Sequence, residues 1–264
     1  MSGAQNELVQ HTCDARGVHT LCLNRPDAFN VLSSEVMQAT QHCLDLIAQD
    51  AQARLVIISA KGKAFCAGHD LREMRASPSL AYYQALFHQC SRMMMSVQRL
   101  PVPVMAVVNG IATAAGCQLV AMCDLAVAST ASKFAVSGVN LGLFCATPSV
   151  ALSRNLHRKA AFEMLVTGNF ITAEQALAKG LVNAVVAPDQ LDAEVARYVA
   201  SILGKPRTAI AIGKKLFYEQ LEQPIEAAYL NAENAMACNM MDDAALEGVQ
   251  AFIDKRQPNW KNSA

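Results

Sequence analysis

The sequence is short of charged side chains. Only 17% of its 264 residues are charged, against roughly 25% in an average domain. Its 22 basic and 22 acidic residues cancel, which argues against a nucleic-acid-binding protein, since such proteins carry a basic excess. The balance argues equally against a polybasic protein of the membrane surface. Because 53% of the residues are apolar, we expect a large core and some surface covered by other subunits.

Long apolar runs and paired cysteine motifs are absent too. No apolar stretch reaches the roughly 18–20 residues of a membrane helix, and residues 1–10 resemble neither a secretory leader nor an Arg-rich transit peptide. The nine cysteines are odd in number, form no C-x-x-C pair and often lie in apolar runs. This pattern favours reduced, buried thiols over disulfides or a metal site. We expect a cytoplasmic protein without a metal, or a mitochondrial matrix protein if a presequence was removed.

Short apolar runs alternate with amphipathic segments along the first half of the chain. Strands are predicted at residues 18–23, 55–59, 104–108 and 124–129, and helices at about 35–49 and 79–99. Wholly apolar strands are typical of a sheet buried on both faces. The strand–loop–helix unit recurs along the chain, which predicts an α/β fold.

The pattern becomes mainly helical after residue 150. Thr172 and Gln175 form a capping box, Gly180 is a helix stop, and a last short strand is predicted at 181–186. From Pro206 onward, helix follows helix. We therefore divide the chain into an α/β core of residues 1–204 and a helical region of residues 205–264.

Two Ala-Gly turns occupy equivalent places in the repeated unit, at Ala67-Gly68 and Ala115-Gly116. Small residues let another molecule approach the backbone, and the first N–H groups of the next helix lack internal partners. Two such turns could aim two N–H donors at one point, as an oxyanion hole requires. The alternative is that each turn only permits tight packing of helix on sheet.

Few other residues predict chemistry. The chain has no G-x-G-x-x-G, P-loop, G-x-S-x-G or H-E-x-x-H sequence. His69 follows the first Ala-Gly pair and could donate to an anion or orient a thioester, or serve only as a polar residue at a helix start. Gln118 can form hydrogen bonds but cannot exchange protons. Cys145 could be a nucleophile or, lacking a partner that lowers its pKa, a buried structural thiol.

Several segments, in their order along the chain, resemble the crotonase superfamily, that is, the enoyl-CoA hydratase/isomerase family. They are Leu23–Asp27 with Asn30, Ala64–Leu71, Val108–Gln118 with Cys123 and Asp124, Thr167-Gly168, Ile171–Ala176 and Gly180–Asn183. Nearly the whole chain is covered. Within the family, the Ala67–Asp70 loop and the Gly138–Cys145 segment most resemble the branch named enoyl-CoA hydratase domain-containing protein three.

The resemblance implies an α/β, crotonase-like spiral of ββα units with a C-terminal helical trimerisation region. It implies a homotrimer, or a hexamer formed from two trimers, with no nucleic-acid or membrane partner. Coenzyme A is expected as part of an acyl-CoA thioester substrate and no prosthetic group is expected. The backbone N–H groups of Ala67 and Ala115 would hold the thioester oxygen. The residues implied to line the coenzyme A site are Ala28, Phe65, Cys66, Ala67, Gly68, His69, Asp70, Leu71, Phe252 and Lys255.

The sequence departs from the family at both acid/base positions. The two glutamates of enoyl-CoA hydratases fall on Gln118 and Gly138 here. Neither residue can act as a general acid or base toward water. Ordinary hydration would then need another group to position water, for which Asp70, Glu73 and Ser137 are the nearest candidates in sequence.

Three alternatives therefore stay open beside hydration. The first is another reaction through a thioester enolate, such as isomerisation or thioester hydrolysis. The second is decarboxylation, because methylmalonyl-CoA decarboxylase also resembles this chain and lacks the glutamate pair, although its tyrosine falls on Cys145. The third is a non-catalytic oligomer that binds acyl-CoA.

Overall fold

The computed structural model describes residues 7–260. The strands within this range are β1 (Val9–Cys13), β2 (Val18–Leu23), β3 (Leu55–Ala60), β4 (Ala64–Cys66), β5 (Val104–Val108), β6 (Ile111–Thr113), β7 (Leu125–Ser129), β8 (Lys133–Ala135), β9 (Ile171–Thr172) and β10 (Ala184–Val186). The α-helices are α1 (Ser34–Gln49), α2 (Leu71–Ala76), α3 (Leu80–Arg99), α4 (Ala115–Met122), α5 (Ala146–Asn155), α6 (Arg158–Thr167), α7 (Ala173–Lys179), α8 (Leu191–Leu203), α9 (Arg207–Gln220), α10 (Ile225–Met240) and α11 (Asp243–Ile253).

The strands form two sheets, and each repeated unit contributes one strand to each. The larger sheet has the order β1-β2-β3-β5-β7-β10 and the smaller has the order β4-β6-β8-β9. The pairs are parallel except β1 with β2 and β8 with β9. Because β3, β5 and β7 enter the larger sheet and β4, β6 and β8 the smaller one, the chain winds as a spiral. The predicted α/β fold is confirmed.

The larger sheet is buried on both faces, as its apolar strands predicted. On one face, Leu55, Met105 and Val127 pack against Leu191 and Val199 of α8. On the other face, the alternate residues of the same strands join the main core with α1, α3 and α4. Alternation along a strand sends neighbouring side chains to opposite faces, so a sheet between two layers must be apolar throughout.

Residues close to the helix ends predicted where the helices end better than the sequence predicted the ends of the strands. Ser33 caps α1, since its side chain accepts from the N–H of Val36. The capping box that starts α7 is confirmed, and so is the left-handed Gly180 that ends it. The last strand begins at Ala184 instead of residue 181, because the N–H of Leu181 still bonds back to α7 at Ala176.

The C-terminal helices are tied to the core at one buried network. Lys214 Nζ of α9 lies 2.7 Å from Asp124 Oδ2, and the Tyr218 hydroxyl donates to Asp124 Oδ1 at 2.7 Å. The predicted division at residue 204 falls between α8 and α9. The contacts with Asp124 nevertheless anchor α9 to the residue just before β7. No helix within residues 7–260 has the length and apolarity needed to cross a membrane.

Candidate active site

The two Ala-Gly turns touch each other in the fold. A Cβ added at Gly116 would overlap the carbonyl oxygen of Cys66. Gly68 has a φ of +91°, and a Cβ added there would lie 2.9 Å from the Cβ of Ala114 and 3.3 Å from the nitrogen of Ala115. Glycine is required at both places by close approach or by positive φ. The predicted convergence of the two turns is thus present in the structure.

The backbone N–H groups at this junction include two that have no hydrogen-bond acceptor within the part of the chain that the structure describes. They belong to Ala115, the first residue of α4, and to His69. Ala114, just before α4, has φ 50° and ψ −121°, a strained conformation for a residue with a Cβ. Its own N–H is engaged with the carbonyl of Ala135 at 3.0 Å. The strained turn thus leaves the N–H of Ala115 free for a ligand.

The expectation that Ala67 supplies the other donor is wrong for this structure. The N–H of Ala67 donates to the carbonyl of Phe29 at 3.0 Å, so it is already used inside the fold. His69, two residues later, replaces it as the available donor. Both His69 and Ala115 line the same cavity.

This cavity has a volume of roughly 240 Å³ and mostly apolar walls. Among residues 7–260, the ionisable side chains that line it are those of His69 and Cys145. The lining residues are Ala67, His69, Leu71, Met74, Phe87, Ala114, Ala115, Ser137, Gly138, Leu141, Leu143, Phe144, Cys145, Ala146, Thr147 and Pro148. The sequence did not predict the wall formed by residues 141–148, although the apolar run Leu141-Gly142-Leu143-Phe144 was a usable signal.

The imidazole of His69 is neutral and offers one unpartnered nitrogen. Nδ1 lies 3.4 Å from the carbonyl oxygen of Leu32, which can only accept, so the proton belongs on Nδ1. Nε2 is buried and has no partner within residues 7–260. Burial lowers the pKa of His69 below its ordinary value of 6.5. The ring packs edge-on against Phe87 at a centroid distance of 5.5 Å, which holds its orientation.

The two positions of the missing glutamates have different surroundings. Gln118 is 4% exposed, its Oε1 has no partner in the described chain, and it does not line the cavity. Gly138 does line the cavity, but a Cβ there would lie 2.5 Å from the Leu143 carbonyl oxygen and 2.7 Å from Cys145 Sγ. The Cys145 sulfur instead accepts from the N–H of Gly138 at 3.3 Å. The thiol therefore occupies the space that a side chain at 138 would need.

Cys145 is suited to packing and not to nucleophilic attack. Burial raises the pKa of its thiol above the ordinary value, so the less reactive protonated form dominates near neutral pH. Of the two readings of this residue, the structure supports the buried structural thiol.

The carboxylates nearest in sequence are engaged elsewhere. Asp70 caps α2 by accepting from the N–H groups of Arg72 and Glu73. Glu73 accepts from both the N–H and the hydroxyl of Ser34 at the start of α1. Neither carboxylate lines the cavity, whereas the Ser137 hydroxyl does and is paired with that of Thr113 at 3.0 Å.

The other predicted binding residues divide into three groups. Leu71 lines the cavity. Phe65 and Cys66 are fully buried in β4 and their side chains do not line the cavity, so a part for them in binding coenzyme A stays a prediction. Ala28, Phe252 and Lys255 lie outside the cavity of the single chain. Phe252 is 85% exposed, so a role for it in ligand binding stays a prediction.

Comparison with known proteins agrees with this fold. The profile of one family, described as "Enoyl-CoA hydratase/isomerase", matches residues 14–263. The chain belongs to that family. It is 44% identical to the mouse "Enoyl-CoA hydratase domain-containing protein 3, mitochondrial" over 93% of this chain and 82% of that protein. The predicted resemblance to this branch of the family is confirmed.

Solved structures give the same answer for the fold. The crystal structure of an enoyl-CoA hydratase from Mycobacterium smegmatis superposes with a TM-score of 0.96 at 59% identity, covering 97% of this chain and 99% of that one. Human enoyl Coenzyme A hydratase domain-containing protein 3 superposes with a TM-score of 0.92 at 42% identity, covering 96% and 100%. The crotonase-like spiral is thereby confirmed.

We predict that Gly138→Ala destabilises the protein. The added methyl group meets a backbone oxygen and a buried sulfur, and such overpacking costs typically about 1–3 kcal/mol. The matched control is Gly213→Ala in α9, where a Cβ meets nothing within 4 Å and alanine favours the helix. Urea unfolding measures both variants, and equal stability of Gly138→Ala and wild type would contradict the packing described for Cys145.

Proposed function

We propose that this protein acts on an acyl-coenzyme A thioester through an enolate, with His69 as the acid/base group. The main support for the proposal is one observation about the cavity. Within the described chain, the cavity beside the two free N–H groups has a single ionisable side chain with an unpartnered nitrogen, His69 Nε2. The proposed ligand carries coenzyme A as part of the substrate, and we propose no prosthetic group.

The chemistry follows from the positions of these groups. The thioester carbonyl oxygen would accept from the N–H groups of His69 and Ala115, which are fixed before the substrate arrives. His69 Nε2 would take a proton from the carbon next to the carbonyl. The C–H bond breaks, an N–H bond forms, and the electron pair moves onto the oxygen as the enolate develops. Return of the proton to a different carbon would give isomerisation.

Hydration is the less favoured reaction for this site. It needs a group that activates water besides the one that handles the α-proton, and Asp70 and Glu73 are occupied as helix caps. The Ser137 hydroxyl remains as a cavity group that could bind water, but it does not titrate in the usual range.

Decarboxylation is a second candidate, supported by the absence of carboxylates from the cavity lining. A malonyl-type carboxylate in this cavity would meet no like charge, and its apolar surroundings would favour loss of carbon dioxide. The C–C bond breaks, carbon dioxide leaves, the electron pair of that bond forms the same enolate, and a proton from water then adds to the carbon.

The substitution His69→Ala tests the proposal, because it removes the ring but keeps the backbone N–H. We expect kcat to fall by about 10²–10⁴-fold, with thioester affinity measured by calorimetry nearly unchanged. Crotonyl-, malonyl- and methylmalonyl-CoA form the substrate panel. His88→Ala, at an exposed position of α3, is the matched control and should keep full turnover.

The pH profile gives a second readout of the same group. The neutral ring is the base, so kcat/KM should be constant near neutral pH and fall as the pH drops through the lowered pKa of His69, below 6.5. Binding without turnover on any thioester would replace the proposal with a non-catalytic acyl-CoA protein. Full turnover by His69→Ala would remove the role of the ring.

We also propose that the protein is a homotrimer or a hexamer formed from two trimers. The support is a set of large apolar side chains that are exposed in the single chain, since exposed apolar surface often marks a contact with another protein. On the C-terminal helices and their joining turns they are Phe217, Leu221, Ile225, Tyr229, Leu230, Met236, Met240, Met241, Leu246, Val249, Phe252 and Ile253. Covering these side chains would reconcile the apolar composition with the scarcity of charge.

Sedimentation equilibrium tests this assembly directly. We expect a mass three or six times the 28.3 kDa of the chain, independent of dilution over the micromolar range. A mass of one chain at these concentrations would contradict the proposal. As to location, all nine cysteines are free, which supports a reducing compartment such as the cytoplasm or the mitochondrial matrix.

A further inference from the structure

A second cluster of chemically active side chains lies outside the cavity described above. Cys13 of β1 is paired directly with His19 of β2 in the antiparallel register, and Asp50 ends α1 beside them. Cys13 Sγ lies 3.6 Å from His19 Nε2, and Asp50 Oδ2 lies 3.1 Å from the same nitrogen. The three donor atoms all lie within 4.8 Å of one another.

The arrangement differs from that of a hydrolytic triad. In a triad, the nucleophile and the carboxylate bind opposite nitrogens of the histidine. Here the thiol and the carboxylate meet at the same nitrogen, Nε2, while Nδ1 lies 3.0 Å from His11 Nε2. Convergence of a sulfur, a nitrogen and an oxygen at one point is the geometry of a ligand shell.

We propose that Cys13, His19 and Asp50 bind a zinc ion. Thiolate, imidazole and carboxylate are the ligands that Zn²⁺ takes in proteins, and bonds of about 2.0–2.3 Å in a tetrahedron separate the ligand atoms by about 3.3–3.7 Å. The separations of 3.1 and 3.6 Å are close to these values, and Cys13 Sγ lies within 4.8 Å of Asp50 Oδ2, so an ion would draw the thiol and the carboxylate together. On binding, the thiol proton passes to water and a Zn–S bond forms, so thiolate and carboxylate together balance the ionic charge.

His11 acts as a positioning residue for this site. With zinc on Nε2, the proton of His19 lies on Nδ1 and is donated to His11 Nε2, the outer contact that metal-binding histidines usually have. The two rings also stack, with centroids 5.3 Å apart. His19 is 3% exposed, so its ring is fixed, whereas Cys13 is exposed and leaves a path for the ion.

The sequence predicted no metal site because its cysteines form no C-x-x-C pair. The present ligands are brought together by strand register and by the end of α1. Asp50 Oδ1 is held by the N–H of Gln52 at 2.7 Å, which leaves Oδ2 for the ion. Bound zinc would link the first hairpin to α1 and thereby stabilise the folded state by mass action.

The test uses the intact protein, fully reduced, with Zn²⁺ and Co²⁺ as probes. We expect one zinc per chain by calorimetry, a rise in Tm that a chelator reverses, and a near-ultraviolet thiolate-to-cobalt band. Cys13→Ser should abolish that band. Cys238→Ser, at the other exposed cysteine, is the matched control and should keep it. His11→Gln should weaken zinc affinity by about 10–100-fold.

Three results would overturn the zinc site. They are no saturable zinc binding to the folded protein, a cobalt band that survives Cys13→Ser, and a band that disappears with Cys238→Ser. Cys13 is at an exposed strand end, so circular dichroism of Cys13→Ser can establish that the fold is intact before metal is added. His11→Gln with unchanged affinity would remove only the positioning role.

Discussion

The contact between the two Ala-Gly turns is the constraint on which the site depends. Gly116 packs against the carbonyl oxygen of Cys66 so closely that no Cβ fits there, and β4 and β6, which lead into the turns, are paired in the smaller sheet. This contact places the start of α4 beside the loop that holds His69. Both free N–H groups then line one cavity, although they come from different repeats of the spiral. The larger sheet and its two helical layers keep the repeats in register, so the geometry of two backbone donors rests on the whole core.

Within that frame, His69 presents a partly buried imidazole to the cavity, while Gln118 and Gly138 stand at the two positions of the hydratase glutamates. The surroundings are apolar, and burial keeps the imidazole neutral with an unpartnered Nε2. The same low polarity strengthens hydrogen bonds from the backbone donors to a developing negative charge. Gly138 has no side chain, and the Cys145 sulfur occupies the space that a side chain at this position would need. Gln118, by contrast, is buried outside the cavity lining, and its side-chain oxygen has no hydrogen-bond partner among residues 7–260.

Features of the fold that depend on residues close together in the chain could be predicted from the sequence. Apolar strands, the cap at Ser33 and the capping box at Thr172 depend on neighbouring residues, and the two Ala-Gly turns are visible as repeats. The identity of the first donor was not accessible, because the Phe29 carbonyl, remote in sequence, takes the N–H of Ala67. Strands of three residues such as β4, β6 and β8 are too short to show a period. The cluster of Cys13, His19 and Asp50 likewise exists only through strand pairing and the place where α1 ends.

The central claim is that His69 removes a proton beside a thioester held by two backbone N–H groups. Exchange of that proton can be followed by NMR in D₂O with a saturated acyl-CoA such as butyryl-CoA, whichever product the natural substrate gives. The account predicts deuterium at the α-carbon with the wild-type protein and loss of exchange in His69→Ala, although the thioester still binds. A wild-type protein that binds the thioester without exchange, or a variant that exchanges at the wild-type rate, would contradict it.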